Sequence, residues 1–177
     1  MCASDYIENC FLQASKKAPL DFLYANKAFS KEEVLEQFLL FIKRKLKFSI
    51  VKWEPSHKEY PSYMFLSGDK GILAYVDFKY IESEEKLSDT NLVCDSRMLL
   101  KTIRSADSQL DRPVFFVYIV NCKDKQGVFF ETNEQIKDRW LNNFYPYKWY
   151  APVIDEMGDI NNLISLWTDL KKNNVRV

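Results

Sequence analysis

The fold turns on residues 60–82, YPSYMFLSGDKGILAYVDFKYIE. Two apolar runs flank a turn-like S-G-D-K-G, and the second run carries a carboxylate and an ammonium, Asp77 and Lys79. Such runs around Gly68-Asp69-Lys70-Gly71 predict a β-hairpin with strands at 61–67 and 72–80. Side chains alternate across a strand. Leu73, Tyr75, Asp77 and Lys79 are therefore expected on one face, and Ile72, Ala74, Val76 and Phe78 on the other. With Asp69 and Lys70 as a two-residue turn, Ser67 faces Ile72, and the same count sets Ser62 opposite Asp77. Taken alone, D-x-K on a half-solvated strand is an ion pair and nothing more.

The flanking sequence gives the hairpin a setting. Ser30 followed by Glu33 is a capping-box pattern, and a helix runs from there to about Lys45. Val34, Leu35, Phe38, Leu39, Phe41, Ile42 and Leu46 make its broad apolar stripe. FSIVKW, residues 48–53, reads as a strand. After the hairpin, Asp89 to about Gln109 reads as a helix, with Met98, Leu99, Ile103 and Ala106 inward. RPVFFVYIV, residues 112–120, is the most buried-looking strand, and GVFFET follows as another. Residues 133–143 and 158–172 read as the last helices, and residues 5–16 as a short one ended by Pro19. The order predicts an α/β domain, a mixed β-sheet flanked by α-helices. The whole chain, 1–177, is read as a single domain, with a core at 30–120 and a C-terminal part, 121–177, completing it.

Composition bounds the partners. The chain has 25 basic and 25 acidic residues, so net charge gives no argument for non-specific wrapping of nucleic acid, though a local basic groove stays open. The start, MCASDYIENCF, does not read as a signal peptide, and no apolar run approaches the roughly 20 residues that span a bilayer. A cytoplasmic protein without a membrane partner is expected. Cys2, Cys10, Cys94 and Cys122 form no CxxC pair and His57 is the single histidine, which argues against zinc and against His-based hydrolysis. Phosphate-loop, dinucleotide and serine-hydrolase glycine motifs are absent from the sequence.

Residues 30–120 resemble the PD-(D/E)xK nuclease superfamily, in particular its restriction-endonuclease-like and Holliday-junction-resolvase-like branches. The match lies in Asp77-Phe78-Lys79, in Pro61 on the preceding strand, and in the order helix, three strands, helix, strand. The resemblance implies a restriction-endonuclease-like fold and a metal-dependent nuclease of DNA processing or defence. It gives Asp77 to a Mg²⁺ (or Mn²⁺) ion, Lys79 to the attacking water and the helical Glu36 to the same metal. Such a metal offsets the charge that develops on the phosphodiester and makes hydroxide available near neutral pH. The partner it implies is nucleic acid, DNA ahead of RNA, and it admits a homodimer.

The sequence departs from the family where its first carboxylate should follow the proline, because Ser62 stands there. Asp69 cannot substitute: eight strand residues at about 3.3 Å each put it more than about 20 Å from Asp77. Glu59 faces the other way in a regular strand, which leaves Glu36 as the second carboxylate. The alternative function is a catalytically degenerate nuclease fold that binds nucleic acid or a protein. Lys101 and Arg104, three apart on one helix face, and Arg139 and Lys148 in the aromatic-rich segment 139–150, are the candidate nucleic-acid contacts. The basic run from Lys43 to Lys47 reads first as a solvated helix end.

Overall fold

The Ser30 hydroxyl accepts the Glu33 backbone N–H (3.2 Å), and the Glu33 carboxylate accepts the Ser30 N–H (2.6 Å). This reciprocal cap starts α1, Lys31–Leu46. The computed structural model describes residues 30–52, 61–66, 71–83, 94–95, 112–122, 125–142, 149–150 and 157–174. The expected helix at 5–16, the turn at Asp69-Lys70 and most of the helix expected at 89–109 lie outside them. Val34, Phe38, Phe41 and Ile42 are buried on one side of α1. Lys47 ends it in the left-handed conformation (φ 54°), its N–H donating to the Lys43 carbonyl.

The strands are β1 (Ser49–Lys52), β2 (Tyr63–Leu66), β3 (Ile72–Ser83), β4 (Cys94–Asp95), β5 (Val114–Cys122), β6 (Gln126–Thr132), β7 (Trp149–Tyr150) and β8 (Gly158–Asp159). Six of them form one mixed sheet in the order β1-β2-β3-β5-β6-β8. Among the described residues only the β3–β5 pair of this sheet is parallel. Residues after 120 thus contribute β6 and β8 to the sheet built by the earlier ones. The remaining helices among the described residues are α2, Asn133–Asn142, and α3, Ile160–Asn174. Among the described residues no helix is long and apolar enough to cross a membrane.

Two local expectations change. Cys94 and Asp95 do not continue a helix from Asp89; they pair with Tyr150 and Trp149 in a separate two-stranded ribbon. A tertiary pairing there overrides the local helical pattern. The last helix begins at Ile160, not at 158, because Asp159 Oδ1 caps it by accepting the N–H groups of Asn161 (2.9 Å) and Asn162 (3.0 Å). Gly158 stays in β8, where a Cβ would run into the ring of Phe130.

The hairpin register has a bulge. Tyr63 pairs with Val76, Met64 with Tyr75 and Phe65 with Ala74, but Leu66 pairs with Ile72, so Leu73 is the extra residue. The expected Ser67–Ile72 pairing is therefore replaced. Leu73 turns to the face of Ala74 and Val76, while Ile72 packs with Tyr75 on the other. Beyond the bulge the alternation is regular. One face carries Phe65, Val76, Phe78, Phe115, Val117 and Phe130 under α1 and α3, with Trp167 against Phe65 (ring centroids 4.7 Å) and Phe115 (5.8 Å). The opposite face carries Tyr75, Val114, Phe116, Tyr118 and Val120, with Ile136 of α2 packed on it. All nine residues of β5 are buried between the two layers.

Candidate functional site

The Tyr63–Val76 pairing sets Ser62 level with Asp77, and the Ser62 hydroxyl donates to Asp77 Oδ1 at 3.1 Å. Asp77 alternates with Val76 and Phe78, which pack under α1, so its side chain stands on the α2 side of the sheet. Lys79, exposed, stands on that side too. Burial pushes the Asp77 carboxyl up. Opposing that are the Ser62 hydroxyl, the Ser62 and Phe78 backbone N–H groups, and the Lys79 ammonium, all of which favour the ionised form. Burial is the larger effect. The Tyr63 phenol is also raised, first by burial and then by the charge of Asp77.

Across the sheet, Asp77 pairs with Phe116, and Phe116 with Glu131. Glu131 is fully buried (0% exposed) and accepts a 2.9 Å hydrogen bond from the Tyr118 hydroxyl. Tyr118 is in turn the β5 partner of Lys79. Ser62, Asp77, Lys79, Tyr118 and Glu131 thus share one side of the sheet, with Asp77 and Glu131 about 10 Å apart at the backbone, two strand spacings. Glu131 is the residue that reading the sequence missed. Its signal was there: one acid in the apolar run GVFFET, the same kind of interruption that singled out Asp77.

Glu36 is not brought to this group. It is exposed, and α1 packs against the other face of the sheet. At about 100° per residue Glu36 lies opposite the buried stripe of Val34, Phe38 and Phe41, pointing away from the sheet. Among the described residues no three His, Cys, Asp or Glu side chains are grouped to hold a metal. Lys101, Arg104, Lys148 and His57 lie outside the described residues, and Arg139 falls on α2.

The α/β architecture of this chain is similar to the solved structure of a nuclease from a fusselovirus, with a TM-score of 0.50 and 13% identity over 79% of this chain and 90% of that one. The likeness is one of fold: a mixed sheet flanked by helices, of the nuclease-like class. No protein-family model and no curated protein matches the sequence.

Proposed function

We propose that this chain is a nuclease-fold protein of the PD-(D/E)xK type that binds nucleic acid and holds a divalent metal only weakly. The observation that carries the reading is the Ser62–Asp77 hydrogen bond. It puts a hydroxyl beside the motif aspartate where the family has a carboxylate. Mg²⁺ asks for several hard oxygen ligands and gives up its waters reluctantly. Asp77 with Ser62 offers one anion, and burial favours its protonated form. The residues present therefore do not fit a tight Mg²⁺ site. Lys101, Arg104, Arg139 and Lys148 are proposed as nucleic-acid contacts, with DNA as the first substrate class to test.

Metal-dependent hydrolysis is the second reading, favoured by Lys79 beside Asp77 and by Glu131 in the same row. Plasmid, single-stranded DNA and RNA in Mg²⁺ or Mn²⁺ separate the two. The expected result is binding without cleavage above an Asp77→Ala control. Cleavage that depends on Asp77 overturns the first reading and establishes the second. Thermal unfolding tests the ligand argument directly: Ser62→Asp should gain more stability from Mn²⁺ than the parent does, because a metal that binds only the folded state stabilises it by mass action. Equal shifts would mean that Ser62 does not stand at a metal position.

A further inference from the structure

We infer that the adjoining C-terminal ends of α1 and α3 form a docking surface for the phosphodiester backbone of a nucleic acid. The inference rests on the nucleic-acid-binding part of the reading above and is independent of Asp77. Lys43, Arg44 and Lys45 close α1, and Lys47 follows; all four are exposed. None of the four has a carboxylate at ion-pair distance among the described residues. The last turn of α3 adds Lys171 and Lys172. Lys171 Nζ donates to the carbonyl oxygens of Leu46 (2.8 Å) and Lys47 (3.5 Å) and lies 5.6 Å over the ring centroid of Phe48, which fixes its charge at the end of α1.

A helix C-terminus attracts cations through its dipole, and that is the first explanation of such a cluster. Here it is already used. The ammonium of Lys171 holds the terminal carbonyls, and the Lys47 N–H holds that of Lys43. The other cations are gathered around a fixed positive charge and repel it and one another. Among the described residues, Asp169 reaches the patch, 3.7 Å from Lys172 in an exposed pair. Of the acids of α1 itself, Glu32 and Glu33 are in its first turn and Glu36 lies seven residues before Lys43, about 10 Å along the helix. Lys47 adds a further sign. Its left-handed cap position favours glycine or asparagine, yet it carries a charge.

In a chain with 25 bases and 25 acids this is a segregation of charge, and a partner bearing repeated negative charge relieves it. The cations line exposed helix ends, so the complementary partner is an extended polyanion, such as a phosphate backbone.

The test is fluorescence anisotropy with a labelled DNA duplex, single-stranded DNA and RNA, in EDTA, as a function of salt. The variant is Lys43→Gln, Arg44→Gln and Lys47→Gly, the last keeping the left-handed cap without the charge. Affinity should fall at least about tenfold near 0.1 M salt, and the slope of log K against log salt should fall by about 2–3, since each lost phosphate contact removes about 0.9. A control with Lys43→Arg and Lys45→Arg should keep both. If the triple variant folds less well by circular dichroism, Lys45→Gln with Lys172→Gln carries the same test with a smaller drop. Unchanged affinity and slope in the variants overturns the surface. So does a parent that binds none of the nucleic acids, or one whose patch-dependent binding is to phosphatidylserine vesicles instead. Asp77-dependent cleavage in Mn²⁺ would overturn the weak-metal reading and leave this surface standing.

Discussion

β3 has two sides, and they obey different rules. Val76 and Phe78 enter a core of aromatic rings: Phe78 meets Phe38 at 5.8 Å and Tyr63 at 5.2 Å, both edge-on. One residue away, Asp77 faces the other side with a hydroxyl on its carboxylate. The pattern repeats across the sheet, with Phe130 on the first side and its neighbour Glu131, fully buried, on the second. The first side is not wholly apolar. Asn121 and the Trp167 indole Nε1 are buried there without a hydrogen-bond partner. Burial of an apolar ring stabilises in proportion to its area, whereas burial of a carboxylate costs unless it is bonded. The two acids that are buried or half-buried, Glu131 and Asp77, both stand on the second side, whereas Glu82, on the first side of β3, is exposed. That placement costs stability and fits the proposed reading, in which the second side carries the site.

The largest effect should come from the packed side. Trp167 is fully buried between Phe65 and Phe115, and Trp167→Ala should cost about 3–5 kcal/mol in urea unfolding. A loss below about 1 kcal/mol would mean that α3 is not the cover of this core. Gly158→Ala comes next, at about 1–3 kcal/mol, because its Cβ must displace the ring of Phe130. The expected signature is a lower unfolding midpoint with an unchanged denaturant slope.

On the other side, Tyr118→Phe removes the hydroxyl that donates to Glu131 and leaves the buried carboxylate short of that bond. The expected cost is about 1–3 kcal/mol, and Glu131→Gln in the same background should recover part of it, because an amide costs less to bury than a carboxylate. If Tyr118→Phe is neutral, the hydroxyl is not what makes burial of Glu131 tolerable, and the contrast between the two sides weakens.

How much of this was legible in the sequence depends on the range of the cause. The cap at Ser30 and Glu33 and the buried run of β5 follow from local chemistry, and the structure has both. The pairing that sets Ser62 beside Asp77 is counted from a two-residue turn; it is found, although the Ser67–Ile72 pairing from which the count begins is not. The bulge at Leu73 was not legible, because one extra residue leaves no mark on an apolar run. It exchanged the faces of Leu73 and Ile72 but left Asp77 where the count put it. Glu36 shows a different boundary. Its position opposite the apolar stripe could be read from spacing, but which side of the sheet α1 covers is set by the long-range packing of Phe38 on Phe78. The ribbon at Cys94–Asp95 likewise depends on a partner some 55 residues away.

The smallest and most diagnostic effect is at Asp77. Burial raises its carboxyl above the ordinary range, so the folded protein holds a proton that the unfolded chain releases. Between the unfolded value, about 4, and the raised folded value, stability therefore falls as pH rises, and above that window the whole cost is present. An asparagine in its place would carry no such cost and would keep an oxygen for the Ser62 hydroxyl, so Asp77→Asn should be slightly more stable than the parent at pH 7. The advantage should shrink as pH is lowered through the folded value and vanish below the unfolded one. Urea unfolding of both proteins from pH 7 to pH 3.5 reads the difference directly. Should the variant be less stable at pH 7, the Ser62, Phe78 and Lys79 interactions outweigh desolvation, and Asp77 is held ionised as a ready cation ligand. Such a result would move the site toward the hydrolytic reading, because a carboxylate that is already ionised needs no proton removed before it meets a metal.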